Sequence, residues 1–131
     1  SRGELFGALA TDLLLRLPFN RIGDARLAGP ATTHLYEFAW PSPVQGLGAA
    51  HAVELGFVFD RLASDDAVRL NGRDAPQQLA DDMHSAWVRF ATTGDPGWPA
   101  WSASRPVQVF DAPASGVALA PREGAPAPWG G

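Results

Sequence analysis

The stretch THLYEFAW, residues 33–40, constrains the fold more than any other part of the sequence. One face of an extended chain would carry His34, Tyr36, Phe38 and Trp40, and the opposite face would carry Leu35 and Ala39. Because both faces can be buried, the pattern predicts an interior strand of an α/β sheet. The following PSP, residues 41–43, ends the strand.

One helix is predicted before this strand and another after it. Residues 4–27 place leucines at helical spacing, and Pro18 should bend the helix that contains it. Residues 74–93 begin with a capping-box-like pair, Asp74 and Gln77. An apolar stripe predicts the face of this second helix that packs on the core, and it consists of Leu79, Met83, Ala86, Trp87 and Phe90. The segments PVQVFDA and GVALA predict two short late strands.

Composition excludes several classes of function. The chain has 131 residues, no cysteine and ten positive side chains, all arginine, so thiol and lysine chemistry are excluded. A net charge of −4 without a basic cluster argues against nucleic-acid partners. No apolar run approaches the length of a membrane span, and no signal-peptide pattern is present, so no membrane partner is expected. The compartment stays open.

The segment GLGAAHAVELGFVF, residues 46–59, contains the most promising histidine. The small residues before His51 leave room for a ligand or another backbone, and long loops often carry function. Two interpretations remain open, a general base and a cap on a short helix beginning at AVEL. His34 and His84 are expected to be packed or surface residues.

The sequence offers a candidate base without a candidate nucleophile. No serine lies in a G-x-S-x-G turn, which exposes the nucleophile of α/β hydrolases. The three histidines also lack the i, i+4 pairing of a zinc helix. Neither a metal nor another cofactor is expected.

Several ordered blocks resemble the type-B carboxylesterases, which include bacterial para-nitrobenzyl-type esterases and animal cholinesterases. The segment around the catalytic histidine of that family matches here at Gly48, His51, Glu54, Phe57, Val58 and Phe59. Further resemblance lies in ATDLLLRLPFNRIGDAR, in THLYEFAW, in MHSAWVRFATTGDPGWPAW and in VQVFD. The blocks follow the family order and cover about residues 8–112.

The resemblance implies an α/β-hydrolase fold of helices and late strands of a mostly parallel sheet. The family triad runs serine, acid, histidine along the chain. Residues 1–122 would therefore be the C-terminal segment of a catalytic domain, and residues 123–131 a Pro/Gly-rich tail. The serine, the acid and the oxyanion loop would lie on a missing N-terminal part, so this chain alone should be inactive. A bacterial source is expected from the arginine- and alanine-rich composition.

The resemblance also implies roles for four residues. His51 would be the general base for hydrolysis of a small-molecule carboxylic ester, and Glu54 a buried carboxylate that steadies the histidine loop. Ala52 and Val53 would lie near the substrate. For Glu54 a helix-end carboxylate with surface contacts is the competing interpretation. For the whole chain, a non-catalytic cholinesterase-like binding module is the alternative. Gly56 stands where bacterial members commonly have proline, which should loosen the turn after the histidine loop.

Overall fold

A computed structural model describes residue 7 and residues 11–120. In chain order the elements are a π-helical stretch (Asp12–Arg16), helix α1 (Leu17–Arg26), strand β1 (Leu35–Phe38), a 3₁₀ turn (Val44–Gly46), helices α2 (Leu55–Val58), α3 (Asp65–Asn71) and α4 (Gln77–Thr93), and strands β2 (Pro106–Phe110) and β3 (Gly116–Leu119). The predicted tail, residues 123–131, and most of the predicted start of the first helix lie outside the described residues. None of the described helices is both long enough and apolar enough to cross a membrane.

The first helical segment changes geometry at the predicted proline. The π-helical stretch ends at Arg16, and α1 begins at Leu17 with Pro18 in its first turn. Proline has no backbone N–H, and the first turn of an α-helix leaves that group without an intrahelical partner. The predicted disturbance at Pro18 therefore takes the form of a boundary between two helical geometries.

The sheet has three strands in the order β1-β2-β3. β1 pairs with β2 in parallel, with Leu35 opposite Val107 and Phe38 opposite Phe110, whereas β2 and β3 are antiparallel. Within the described part of the chain β1 is thus an edge strand, and the interior position predicted from its two apolar faces is not reached. The second neighbour that such a strand needs is absent from the described residues.

The core lies between α2, α4 and one face of the sheet. Its buried members are Phe57, Val58, Leu79, Ala80, Met83, Ala86 and Phe110. The predicted stripe on α4 is confirmed at Leu79, Met83 and Ala86, which are buried. Trp87 and Phe90, by contrast, are 44% and 45% exposed. The described residues therefore cover only part of the apolar face that the sequence predicts for α4.

The predicted start of α4 is wrong in position and in capping. The helix begins at Gln77 rather than at Asp74, and its N-cap residue, Pro76, has no side-chain cap. The Gln77 amide Nε2 instead donates to Asp60 Oδ1 at 2.7 Å and to Asp81 Oδ1 at 2.9 Å. Gln77 thus pairs with Asp60, which the tertiary fold brings close, instead of forming the local capping box with Asp74. Sequence spacing alone does not predict this contact.

Candidate functional site

The histidine loop, residues 42–53, is closed at its base and buried at its end. The Ser42 N–H donates to the Gly48 carbonyl at 3.0 Å, and the two residues form an isolated antiparallel bridge. Beyond the bridge, Val53 is completely buried, and its N–H donates to the Ala50 carbonyl at 3.3 Å. His51 lies between these two anchors and is exposed.

Positive φ angles give the histidine loop its shape. Gly46 and Gly48 have φ of 70° and 63°, a region that glycine adopts without steric cost. Gln45 and Ala52 also have positive φ, at 49° and 70°. A non-glycine residue in this region costs about 1–2 kcal/mol. Such strain clusters at functional sites, and here it lies directly after His51.

The three histidines differ in what their rings contact. Nδ1 of His34 lies 3.1 Å from the Trp98 carbonyl, and Nδ1 of His84 lies 3.0 Å from the Val58 carbonyl. The His34 ring also packs edge-on against Phe90 and Trp98. Both histidines thus fit the packed role expected from the sequence. The His51 imidazole forms no hydrogen bond to any residue that the structure describes, so none of these residues occupies either ring nitrogen.

His51 does not cap the short helix that follows it. Helix α2 begins at Leu55, and its N-cap residue is Glu54, which makes no side-chain cap hydrogen bond. The interpretation of His51 as a helix cap is therefore wrong. The residues between them form a turn in which the Leu55 N–H donates to the Ala52 carbonyl at 3.3 Å.

Glu54 is half-buried at the N-terminus of α2 rather than fully buried. Its backbone carbonyl accepts from the N–H groups of Phe57 and Val58 at 3.0 Å and 2.9 Å. Burial raises the pKa of Tyr36 above its ordinary value of 10.0, and the Glu54 carboxylate raises it further, while a hydrogen bond with the Trp87 side chain opposes them. The charge of Glu54 thus acts on the β1 residue Tyr36, a coupling that sequence reasoning missed because nothing local connects the two.

The two residues expected near a substrate differ in exposure. Val53 is completely buried, whereas Ala52 is half-buried. Ala52, next to His51 and in the strained conformation, is therefore the more accessible of the pair.

No described serine is hydrogen-bonded to His51. Ser42 is 3% exposed, and its Oγ donates to the Leu70 carbonyl at 2.5 Å. Ser64 caps α3, and Ser115 Oγ contacts the Asp111 backbone. Residues 11–120 also contain no group of three or more His, Asp or Glu side chains arranged to hold a metal ion.

Comparison with known proteins finds esterases that this chain matches over part of their length. No protein-family model matches the chain. The para-nitrobenzyl esterase of Bacillus subtilis (strain 168) is 34% identical over 100 residues, covering 71% of this chain and 20% of the esterase. The crystal structure of the Geobacillus stearothermophilus carboxylesterase EST55 at pH 6.2 matches with a TM-score of 0.65 and 37% identity, over 78% of this chain and 22% of that one.

A solved PNB esterase structure matches with a TM-score of 0.72 and 30% identity, over 87% of this chain and 25% of the esterase. The chain thus spans about a fifth to a quarter of the length of the proteins that it matches.

Proposed function

Because this chain belongs to the type-B carboxylesterase family, we propose that it is the C-terminal segment of a serine carboxylic-ester hydrolase and that His51 is the general base of acyl transfer. Residues 1–122 would belong to the catalytic domain and residues 123–131 would form a tail. The substrate is a small-molecule carboxylic ester, and the partner is the N-terminal part of the same enzyme. No metal or other cofactor takes part in the proposed chemistry.

The proposed chemistry is the two-step exchange of an acyl group. An upstream serine hydroxyl attacks the ester carbonyl while His51 takes its proton, and the imidazolium then gives that proton to the leaving alcohol. Water hydrolyses the acyl-enzyme with His51 again acting as base. Upstream groups supply the acid that orients the imidazole and the N–H donors that stabilise the oxyanion. In this proposal Glu54 steadies the loop, and Ala52 and Val53 lie on the substrate side.

One observation carries the choice of His51. It is exposed on a strained loop, and its ring has no hydrogen bond within the described residues, whereas His34 and His84 each hold Nδ1 against a backbone carbonyl. A general base needs one ring nitrogen for the nucleophile and one for the orienting acid. Of the three histidines, His51 alone offers both.

Exposed apolar side chains support the proposal that an N-terminal part of the enzyme packs against this chain. Leu14, Phe59 and Leu119 are 73%, 63% and 66% exposed, and Trp87 and Phe90 are exposed beside the edge strand β1. Single exposed apolar residues are ordinary, but this many, in a chain that also has an unpaired parallel strand edge, fit a surface that the rest of an enzyme covers.

The test compares two histidine variants in the full-length parent enzyme, with p-nitrophenyl acetate as substrate. His51→Ala should lower kcat/KM by at least about 10³-fold, because removing a triad member leaves only the oxyanion hole and binding. His84→Ala, the matched control, should stay within about tenfold, because its ring is hydrogen-bonded to the Val58 carbonyl and takes no part in the proposed chemistry. Retention of activity by His51→Ala would refute the proposed base.

The alternative is a cholinesterase-like module that binds partners without catalysis. An unaltered parent that folds but does not turn over any ester in a panel of acetates, butyrates and benzoates would favour it. Covalent labelling of the parent by a fluorophosphonate would exclude it, because such labelling requires an activated serine.

A further inference from the structure

Two buried polar side chains lie at or near the C-terminal end of helix α3. Ser42 is 3% exposed and Asn71 is 1% exposed, and they are the buried polar residues of the described chain. Ser42 begins the histidine loop, and Asn71 ends α3. Buried polar groups carry a desolvation cost, so their placement calls for a structural role.

Ser42 makes three hydrogen bonds, one to the last turn of α3 and two within the histidine loop. Its Oγ donates to the Leu70 carbonyl at 2.5 Å and accepts from the Val44 N–H at 3.1 Å. Its backbone N–H donates to the Gly48 carbonyl at 3.0 Å. One hydroxyl therefore connects the last turn of α3 to a bridge that ends three residues before His51.

The same end of α3 also holds the far side of the loop. Gly56 follows the loop in α2, and a Cβ built on it would lie 2.9 Å from Asn71 Nδ2 and 3.0 Å from the Ala67 Cβ. Helix α2 thus packs on α3 at close approach. The last turn of α3 contacts the chain both before and after His51.

The middle of the loop has little support of its own. A Cβ on Gly46 or Gly48 would meet nothing within 4 Å. Because there is open space around these two glycines, packing at their positions does not hold the loop, and its conformation there depends on its two ends. Val53 fixes one end by burial, and Ser42 fixes the other by hydrogen bonds.

We propose that Ser42 is a positioning residue for the His51 base, acting through its hydroxyl bond to the α3 carbonyl of Leu70. The inference rests on the proposed function of His51 and extends it to a residue that does not touch the substrate. Loss of the hydroxyl leaves the Leu70 carbonyl without this donor and frees the start of the loop. A misplacement of about 1 Å between reacting groups can cost on the order of 10²-fold in rate.

The experiment measures kcat and KM of the full-length parent with p-nitrophenyl acetate for Ser42→Ala, Ser42→Thr and Ser64→Ala. Ser64 is the matched control, because its Oγ caps the opposite end of the same helix by accepting from the Ala67 N–H. Ser42→Ala should lower kcat by about 10- to 100-fold with KM within about twofold. Ser42→Thr keeps the hydroxyl and should recover most of kcat, and Ser64→Ala should keep the parent kcat.

Equal kcat values for folded Ser42→Ala and Ser64→Ala would overturn the inference, as would a loss expressed only in KM. If Ser42→Ala does not fold, Ser42→Cys replaces it: a thiol is a weaker donor, so kcat should fall at unchanged KM, and a parental kcat would overturn the inference. His51→Ala in the same series separates the two proposals. Activity of His51→Ala refutes the base itself, whereas an inactive His51→Ala beside a fully active Ser42→Ala refutes the positioning role alone.

Discussion

The indole N–H of Trp101 donates a 3.0 Å hydrogen bond to the carboxylate of Asp24, 77 positions earlier in the chain. The other carboxylate oxygen accepts from Arg105 at 2.8 Å, and the Arg105 guanidinium lies 5.9 Å from the centre of the Trp101 ring. Helix α1 is thereby attached to the loop that leads into β2. Trp101 is 5% exposed, so this attachment is a packed one.

Gly23→Ala should destabilise the chain although alanine is the better helix former. A Cβ on Gly23 would lie 2.7 Å from Trp101 Nε1, closer than real Cβ contacts allow. Overpacking typically costs about 1–3 kcal/mol, which outweighs the gain of about 1 kcal/mol from helix propensity. Urea unfolding of the chain measures the difference. Gly7→Ala is the control, because its Cβ would meet nothing within 4 Å. A Gly23→Ala chain as stable as the unaltered one would mean that α1 does not pack on Trp101.

Gly56→Pro should also destabilise the chain. Gly56 is buried in α2, against Asn71 and Ala67, so any side chain there meets packed atoms. We expect a loss of about 1–3 kcal/mol from overpacking. Asn71→Ala removes the nearer of the two contacts, so the loss caused by Gly56→Pro should be smaller in that background. A double-mutant cycle by thermal unfolding measures this coupling, and strict additivity would contradict the close approach.

Tyr36 should ionise at higher pH in the folded chain than in the unfolded one, because burial and then the Glu54 carboxylate raise its pKa above 10.0. A folded-state pKa above the unfolded one means that the native chain holds its proton more tightly. The stabilisation is present below pH 10 and is lost as the pH rises through the folded-state pKa.

The chain has one tyrosine, so tyrosinate absorbance reports this residue alone. Its midpoint should be higher in native buffer than in urea. Glu54→Gln should lower the native midpoint, whereas Asp66→Asn, a charge-matched change at an exposed ion pair with Arg69, should leave it in place. Coincident midpoints in native buffer and in urea would contradict the prediction.

Local sequence patterns predicted α1, β1, α4 and the two late strands, but they did not predict α3 or the contacts between distant residues. The α/β fold is confirmed by the solved carboxylesterase structures, and the late strands appear at Pro106–Phe110 and Gly116–Leu119. The end of α4 before Gly94 follows from glycine's ease in the left-handed conformation, with φ 78°. The start of α4 was missed because Asp60, 17 residues before Gln77, supplies its partner.

In the candidate site, too, local features could be predicted from the sequence and contacts between distant residues could not. The composition around His51 predicted an open, unusual loop, because small residues and positive φ angles are local properties. The hydrogen bond from Ser42 to Leu70 spans 28 positions, and the effect of the Glu54 charge on the pKa of Tyr36 couples a helix start to a strand. Neither leaves a local signal, since each arises only when separate elements pack. His51, Glu54, Ala52 and Val53 remain predictions as site residues.

The chain alone should not hydrolyse p-nitrophenyl acetate above the background rate of free imidazole. His51 has no serine within hydrogen-bond reach among the described residues, and the Ser42 hydroxyl is buried and bound to the Leu70 carbonyl. Adding the separately produced N-terminal part of the parent should restore turnover, because that part would cover the exposed edge of β1 and bring the serine, the acid and the oxyanion donors to His51. The same mixture made with His51→Ala is the control and should stay inactive. Turnover by the chain alone that His51→Ala abolishes would show that this chain carries its own nucleophile and would overturn the assignment to a segment.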